Sequence, residues 1–89
     1  MDDALRTFWL SFATENEFVG VAVVDLSSDE IGAEKPIDVA IRKTIRLKIN
    51  PGPGTSVQMQ ELPPDEISEQ FKNRLLSRAD VDLLNMRTQ

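Results

Sequence analysis

No histidine, cysteine or tyrosine occurs among the 89 residues of this chain. Without histidine or cysteine, the chain lacks the usual general base at neutral pH and the paired nucleophiles of Ser-His and Cys-His enzymes. It also lacks the common protein ligands of zinc, iron and copper. Carboxylate, amine, guanidinium and hydroxyl groups remain for chemistry. The sequence therefore predicts a protein that is not an enzyme and that holds no metal or other cofactor.

The acidic side chains are the remaining candidates for acid–base chemistry or calcium binding. Segment 25–30 begins like a calcium loop, but positions six and twelve of that loop require glycine and glutamate, and Glu30 and Pro36 stand there. This segment is therefore better explained as the start of a helix. Glu61 shares one face of a predicted strand with other inward positions. We interpret it as a charge that discourages edge aggregation rather than as a catalytic acid.

Charge is unevenly distributed along the chain, whose formal net charge is −5. Residues 1–38 sum to −7, residues 39–60 to +4 and residues 61–89 to −2. The acidic whole argues against nucleic-acid binding, because that binding depends on neutralising phosphates. The middle segment instead predicts contact with an anion or an acidic partner, with a solvated helix face as the simpler alternative. Its basic residues are Arg42, Lys43, Arg46 and Lys48.

Trp9 is the single tryptophan, and it lies on the strand face opposite Phe8, Leu10 and Phe12. Packing in the core under a helix is its simpler interpretation. If Trp9 and the basic segment were exposed on one surface, they would form a site for a partner protein. We therefore include Trp9 with the basic segment as a candidate partner-binding residue.

The first third of the sequence predicts a β-hairpin. Residues 5–13 alternate between apolar and polar types, and a polar turn at 14–17 separates them from a second strand over 18–25. The second strand is apolar on both faces, which is typical of a strand covered on both sides. Gly20 within it predicts a bulge or a close neighbour.

A main helix is predicted from Pro36 to about residue 48, after a capping box formed by Ser27 and Glu30. Residues 44–49 also alternate as a strand would, and this alternative stays open at the level of sequence. The turn at 50–54 ends either element because it contains two prolines and two glycines. The helix would bury a stripe of five residues, which are Ile37, Ala40, Ile41, Thr44 and Ile45.

The last third predicts a strand followed by two helices. Residues 56–62 alternate as a strand, with Val57, Met59 and Glu61 on one face, and Pro63 and Pro64 end it. A helix is predicted from Asp65 to Leu76. Ser77 and Asp80 predict the start of a short final helix, with a frayed tail over 86–89. The inner stripe of the longer helix would be Ile67, Phe71 and Leu75.

These elements, in the order β-β-α-β-α, predict an α+β fold. We expect one small domain over residues 1–89, with an ordered core at about 5–85. A right-handed crossover would make the third strand parallel to the second and place it antiparallel beside the first. The expected architecture is a three-stranded mixed sheet covered by helices.

Three segments, at 8–13, 18–24 and 49–54, carry a resemblance to known proteins. Their sequences are FWLSFA, FVGVAVV and INPGPG. Together they resemble a family of small uncharacterised bacterial proteins in which a helix runs into an Asn-Pro-Gly-Gly turn and then a strand. The resemblance covers about residues 7–64 and implies a helix over 36–48, but it implies no activity. Pro53 departs from the pattern where the second glycine would stand.

These observations together predict a non-enzymatic interaction or regulatory module that acts through protein–protein contacts. A small core and unpaired sheet edges also predict a homodimer. The alternative is a binder of small molecules or anions, or an atypical enzyme, with a pocket shared across the dimer. A pocket that joined Glu61 to Arg42 or Arg46 would favour this alternative.

The same sequence predicts a cytoplasmic location. The acidic start at Met1–Ala4 has no basic region before an apolar run, which is not the pattern of a signal peptide. No apolar run reaches the ~20 residues that a helix needs to span a bilayer. We therefore expect no contact with a membrane.

Overall fold

A computed structural model describes residues 5–63 and 66–87, with side chains as far as Leu84. The chain forms a single α+β domain, as the sequence predicts. Its elements are β1 (Leu5–Ala13), β2 (Phe18–Ser27), α1 (Ser28–Ile31), α2 (Pro36–Arg46), β3 (Ser56–Leu62), a 3-10 helix (Glu69–Phe71), β4 (Leu75–Leu76) and α3 (Arg78–Arg87).

The four strands form one antiparallel sheet in the order β3-β1-β2-β4. The predicted hairpin of β1 and β2 is confirmed, and β3 lies antiparallel beside β1 as expected. The prediction of a three-stranded mixed sheet is wrong. Because β1 separates β2 from β3, those two strands share a direction but are not neighbours. The fourth strand, β4, pairs antiparallel with β2 at the other edge.

Both faces of the central strands β1 and β2 are buried, and the period-two pattern of β1 divides its side chains between the two faces. Phe8, Leu10 and Phe12 lie on the face that α1 and α2 cover, which we call the α2 face. Thr7 and Trp9 lie on the opposite face, which residues 67–72 and α3 cover and which we call the α3 face. The strand β2 is apolar on both sides because it lies between these two cores.

The helix α2 begins at Pro36, as predicted, and ends at Arg46. This end is two residues before the predicted one, because the chain turns at Leu47 and Lys48, and Lys48 has a φ of 61°. The alternative of a strand over 44–49 is therefore wrong. The predicted inner stripe is partly wrong as well. The buried residues are Val39, Ala40 and Thr44, whereas Ile45 is 68% exposed.

The prediction of a helix from Asp65 to Leu76 is wrong. Asp65 and Pro64 lie outside the described residues, and the rest of this segment holds one 3-10 turn and the short strand β4. The apolar spacing is still used, since Ile67 and Phe71 are buried on the α3 face. The backbone is extended at Lys72, and at Asn73 it has a φ of 65°, so the segment turns to pair with β2. The amide of Asn73 donates to the carbonyl of Val23 at 2.8 Å.

The final helix α3 starts where Ser77 and Asp80 predict it. The Asp80 carboxylate accepts the backbone N–H of Ser77 at 3.2 Å, and the Ser77 hydroxyl accepts the N–H of Asp80 at 3.4 Å. The helix is longer than predicted, because Met86 and Arg87 belong to it rather than to a frayed tail. The parts of our predictions that concern residues 1–4 and 88–89 lie outside the described residues.

Candidate functional site

A cleft of about 170 Å³ lies between α1, α2 and the end of β2. Residues three and four apart lie on the same side of a helix, so the sequence of α2 brings four side chains to this cleft. The α2 residues that line it are Val39, Arg42, Lys43 and Arg46. The opposite wall comes from Leu26, Glu30 and Glu34. The cleft therefore combines an apolar floor with charged walls.

The floor of the cleft is rigid because it belongs to the core. Leu26 is fully buried in β2, and Val39 is buried against the same cluster. The capping box fixes the wall, as the Ser27 hydroxyl accepts the N–H of Glu30 at 3.1 Å and Glu30 Oε1 accepts the N–H of Ser27 at 3.0 Å. The residues that begin α1 thus also position one acid of the site.

Two ion pairs cross the cleft. Arg42 bonds to Glu34 through its guanidinium, and Lys43 Nζ lies 3.5 Å from Glu30 Oε2. Arg46 is exposed and forms no ion pair with any residue that the structure describes. Three cations against two carboxylates leave the cleft with one excess positive charge.

The electrostatics of the walls follow from these contacts. The backbone hydrogen bond from Ser27, with a smaller contribution from Lys43, lowers the pKa of Glu30 below its usual value of 4.5. The hydrogen bond and the charge of Glu34 raise the pKa of Arg42 above its usual value. Both groups are therefore charged over the whole physiological pH range.

The lowered pKa of Glu30 gives a test of the cleft wall. We expect Glu30→Gln to reduce the free energy of unfolding by about 0.5 kcal/mol at pH 7, since the group is partly exposed. A carboxylate with a lowered pKa stabilises the fold above its unfolded pKa and loses this contribution as the pH falls through its folded pKa. The difference between wild type and variant should therefore fade below pH 4.5. Urea unfolding at several pH values measures the difference in unfolding free energy between wild type and Glu30→Gln. A difference that does not change with pH would contradict a stabilising role for the Glu30 carboxylate.

The structure brings three of the five predicted site residues together. Arg42, Lys43 and Arg46 line the cleft, whereas Lys48 lies beyond the end of α2 and outside it. Trp9 is half-buried on the α3 face, where it packs beside the core cluster. The sheet therefore separates Trp9 from the basic side chains of α2.

Glu61 is placed away from the cleft. It lies on the α2 face near the edge of the sheet, opposite Phe8 of β1. Arg6 holds it with two hydrogen bonds, from Nε to Oε2 at 2.9 Å and from the terminal nitrogen to Oε1 at 2.7 Å. Among the residues that the structure describes, Glu61 is paired with Arg6 and does not line the cleft that holds Arg42 and Arg46.

Sequence reasoning missed the acidic wall of the cleft. In the sequence, the capping box accounts for Glu30, and Glu34 contributes only to the negative charge of residues 1–38. The available signal was the position of both acids just before a basic helix. Only the packing of α1 against α2 shows that these acids face Arg42 and Lys43.

A second polar cluster lies on the α3 face and was also missed. Lys72 Nζ donates to Asp25 Oδ2 at 3.0 Å and lies 3.6 Å from Glu69. The Thr7 hydroxyl donates to Asp25 Oδ1 at 2.6 Å. Burial lowers the pKa of Lys72, but the hydrogen bond and charge of Asp25 outweigh it and leave that pKa raised. Lys72 and Asp25 do not line the cleft between α1 and α2, and we assign the cluster a structural role.

In the part of the chain that the structure describes, no three acidic side chains are grouped closely enough to hold a metal ion. Within the same residues, no helix has the length and apolar character needed to cross a membrane.

Comparison of the chain with models of protein families, with curated proteins and with solved structures finds no match. A functional assignment must therefore come from the geometry of the cleft and the surfaces around it.

Proposed function

We propose that this chain is a non-enzymatic interaction module that binds an acidic segment of a partner protein in the cleft between α1 and α2. The observation that carries the proposal is the combination of a small volume, an apolar floor and an excess of basic groups in one cleft. The side chain of an aspartate or glutamate matches this volume and charge, while Leu26 and Val39 close the cleft beneath it.

The volume of the cleft favours a side chain over a free small molecule. Sites for small molecules usually enclose roughly 300–1,000 Å³. The cleft offers about 170 Å³. A partner that inserts one or two side chains would fill it, while the remainder of its contact would lie on the surrounding surface.

The charges favour a carboxylate as the inserted group. The guanidinium of Arg46 is unpaired among the described residues, and guanidinium groups bind carboxylates with two parallel hydrogen bonds. The pairs that hold Arg42 and Lys43 are solvent-exposed and so contribute little to stability. An incoming carboxylate can therefore share or replace Glu34 at small cost.

The test is capture of partners by the purified chain from extracts of its native cell, with the bound proteins measured by quantitative mass spectrometry. We expect the double variant Arg42→Glu/Arg46→Glu to lose at least about tenfold of specific capture, because it reverses the charge of the cleft. Its melting temperature should stay within a few degrees of wild type, since both side chains are exposed. Raising the salt concentration should weaken wild-type capture in the same direction.

A matched control separates the cleft from general charge. Lys35→Glu/Lys48→Glu makes the same change in net charge at exposed positions outside the cleft. We expect this variant to capture the same partners with at most a small loss. Equal loss in both double variants would assign the effect to net charge, and unchanged capture by the Arg42→Glu/Arg46→Glu variant would refute the cleft as the binding site.

The alternative function is binding of a small anion. It is favoured by the presence of Arg42 and Arg46 in one cleft, and it is disfavoured because Glu30 and Glu34 line the opposite wall. Titration with inorganic phosphate, followed by the amide shifts of α2, distinguishes the two. Saturable shifts confined to the cleft would support the anion binder over the protein-binding module.

A further inference from the structure

The strand β3 forms an open edge of the sheet. It pairs with β1 along one side, and no strand among the described residues pairs with its other side. The opposite edge is different, because β4 and the amide of Asn73 bond to β2 there. One long edge therefore remains available in a sheet whose other edge is partly closed by its own chain.

This edge lacks the features that usually protect edge strands. Natural proteins block open edges with lysines, prolines, bulges or very short strands. β3 is seven residues long, contains neither lysine nor proline, and pairs with β1 in continuous register. Its one charged residue is Glu61, which Arg6 of the inner strand neutralises. The edge is thus able to accept another strand.

We propose that β3 pairs antiparallel with β3 of a second copy of this chain, around a two-fold axis at Gln58. The result is a homodimer with one continuous eight-stranded sheet. A closed symmetric pair uses the same edge on both copies and leaves no further β3 edge free, so assembly stops at two chains.

The pattern of β3 selects this register. When two copies of one strand pair antiparallel around a two-fold axis, one residue must lie directly opposite its own copy. Only then do the α2 faces of both copies lie on the same side of the joined sheet. With the axis at Gln58, Val57 of each copy lies opposite Met59 of the other copy. The half-buried apolar side chains of both copies therefore meet on the α2 face. An axis at Met59 would instead place Val57 opposite Glu61. The axis at Gln58 also pairs polar side chains with polar ones on the α3 face.

The second copy is favoured over an unrelated extended peptide because the strand is complementary to itself. In the Gln58 register Glu61 lies opposite Thr55, so no like charges face each other across the new pairing. The proposal is independent of the cleft. The cleft lies on the side of α2 that faces α1, and reversing Arg42 and Arg46 should leave the dimer intact.

The natural absence of cysteine makes the test specific. Directly opposed residues of an antiparallel pair have Cβ atoms about 4.5–5.5 Å apart, close to the spacing in a disulfide. We expect Gln58→Cys to form a covalent dimer under mild oxidation at more than about five times the rate of Gln60→Cys. The second variant is the matched control, because its cysteines would lie opposite Ser56 rather than opposite each other.

Sedimentation velocity of the unmodified chain supplies the second measurement. We expect twice the 10.0 kDa chain mass at tens of micromolar. Gln58→Lys should raise the dissociation constant at least about fivefold by opposing two like charges, whereas Gln58→Thr should leave it nearly unchanged. Gln58 is exposed in the single chain, so neither variant should affect folding. A monomer at high concentration, or a dimer insensitive to Gln58→Lys with equal cross-linking at both cysteines, would overturn the proposal.

Discussion

Replacing Lys72 by methionine is expected to lower the free energy of unfolding by about 3 kcal/mol. Removing one partner of a buried ion pair typically costs about 3–5 kcal/mol, because the other charge is left buried without compensation. The Lys72 side chain is only 6% exposed and that of Asp25 is 21% exposed. The partial exposure of Asp25 places the expected loss at the lower end of the range.

Lys72→Met should also weaken the packing of the segment that leads into β4. Lys72 joins the segment between the 3-10 helix and β4 to the carboxylate of Asp25, which also accepts the hydroxyl of the fully buried Thr7. Losing the ammonium should therefore loosen β4 as well. The amide of Asn73 bonds to β2. We expect Lys72→Met to increase the rate of hydrogen exchange of this amide, relative to wild type, more than that of the amides between β1 and β3.

Lys43→Met is the matched control, because it removes an ammonium from an exposed ion pair with Glu30. We expect it to cost about 0–1 kcal/mol when urea unfolding of both lysine variants is measured. The raised pKa of Lys72 determines how the stability difference between wild type and Lys72→Met depends on pH. A lysine with a raised pKa stabilises the fold below its unfolded pKa of 10.5 and loses this contribution as pH rises through its folded pKa. The loss of unfolding free energy caused by Lys72→Met should therefore be constant from pH 7 to 10. Equal losses for Lys72→Met and Lys43→Met would show that the ion pair of Lys72 with Asp25 does not act as a buried one.

Gly20→Ala is expected to destabilise the protein by about 1–3 kcal/mol, as overpacking in a closed site usually does. A Cβ atom at this position would lie 2.7 Å from the carbonyl oxygen of Leu76 and 3.0 Å from the Leu75 side chain. The nearer atom belongs to the backbone of β4, so relief requires β4 to move away from β2. The sequence-based expectation of a close neighbour at Gly20 is thereby confirmed.

Lys35→Ala is the control for Gly20→Ala, because it changes an exposed position outside both β4 and the β3 edge, whose side chain makes no capping hydrogen bond. We expect that control to change stability by no more than about 0.5 kcal/mol. Thermal unfolding measures both variants, and amide exchange at Leu75 and Leu76 reports on β4 directly. A Gly20→Ala variant as stable as wild type would show that β4 can shift without cost.

Several elements could be predicted from sequence because short-range rules decide them. The alternation of β1, the polar turn after it and the apolar run of β2 specify the hairpin. The capping box at Ser27 and the proline at Pro36 specify where α1 and α2 begin. In each case the residues that determine the element lie within it or directly beside it in sequence. The candidate basic group could be found in the same way, since helical spacing alone places Arg42, Lys43 and Arg46 near one another.

Contacts between distant parts of the chain decided the rest. The segment after β3 has the apolar spacing of a helix, yet the bond of Lys72 to Asp25 and that of Asn73 to Val23 hold it extended against β2. The acidic wall of the cleft and the separation of Trp9 from the basic residues likewise depend on packing. The physical reason is that local patterns encode which backbone shape a segment prefers. Burial and the pairing of charges far apart in sequence determine which shape has the lowest free energy once the sheet has formed.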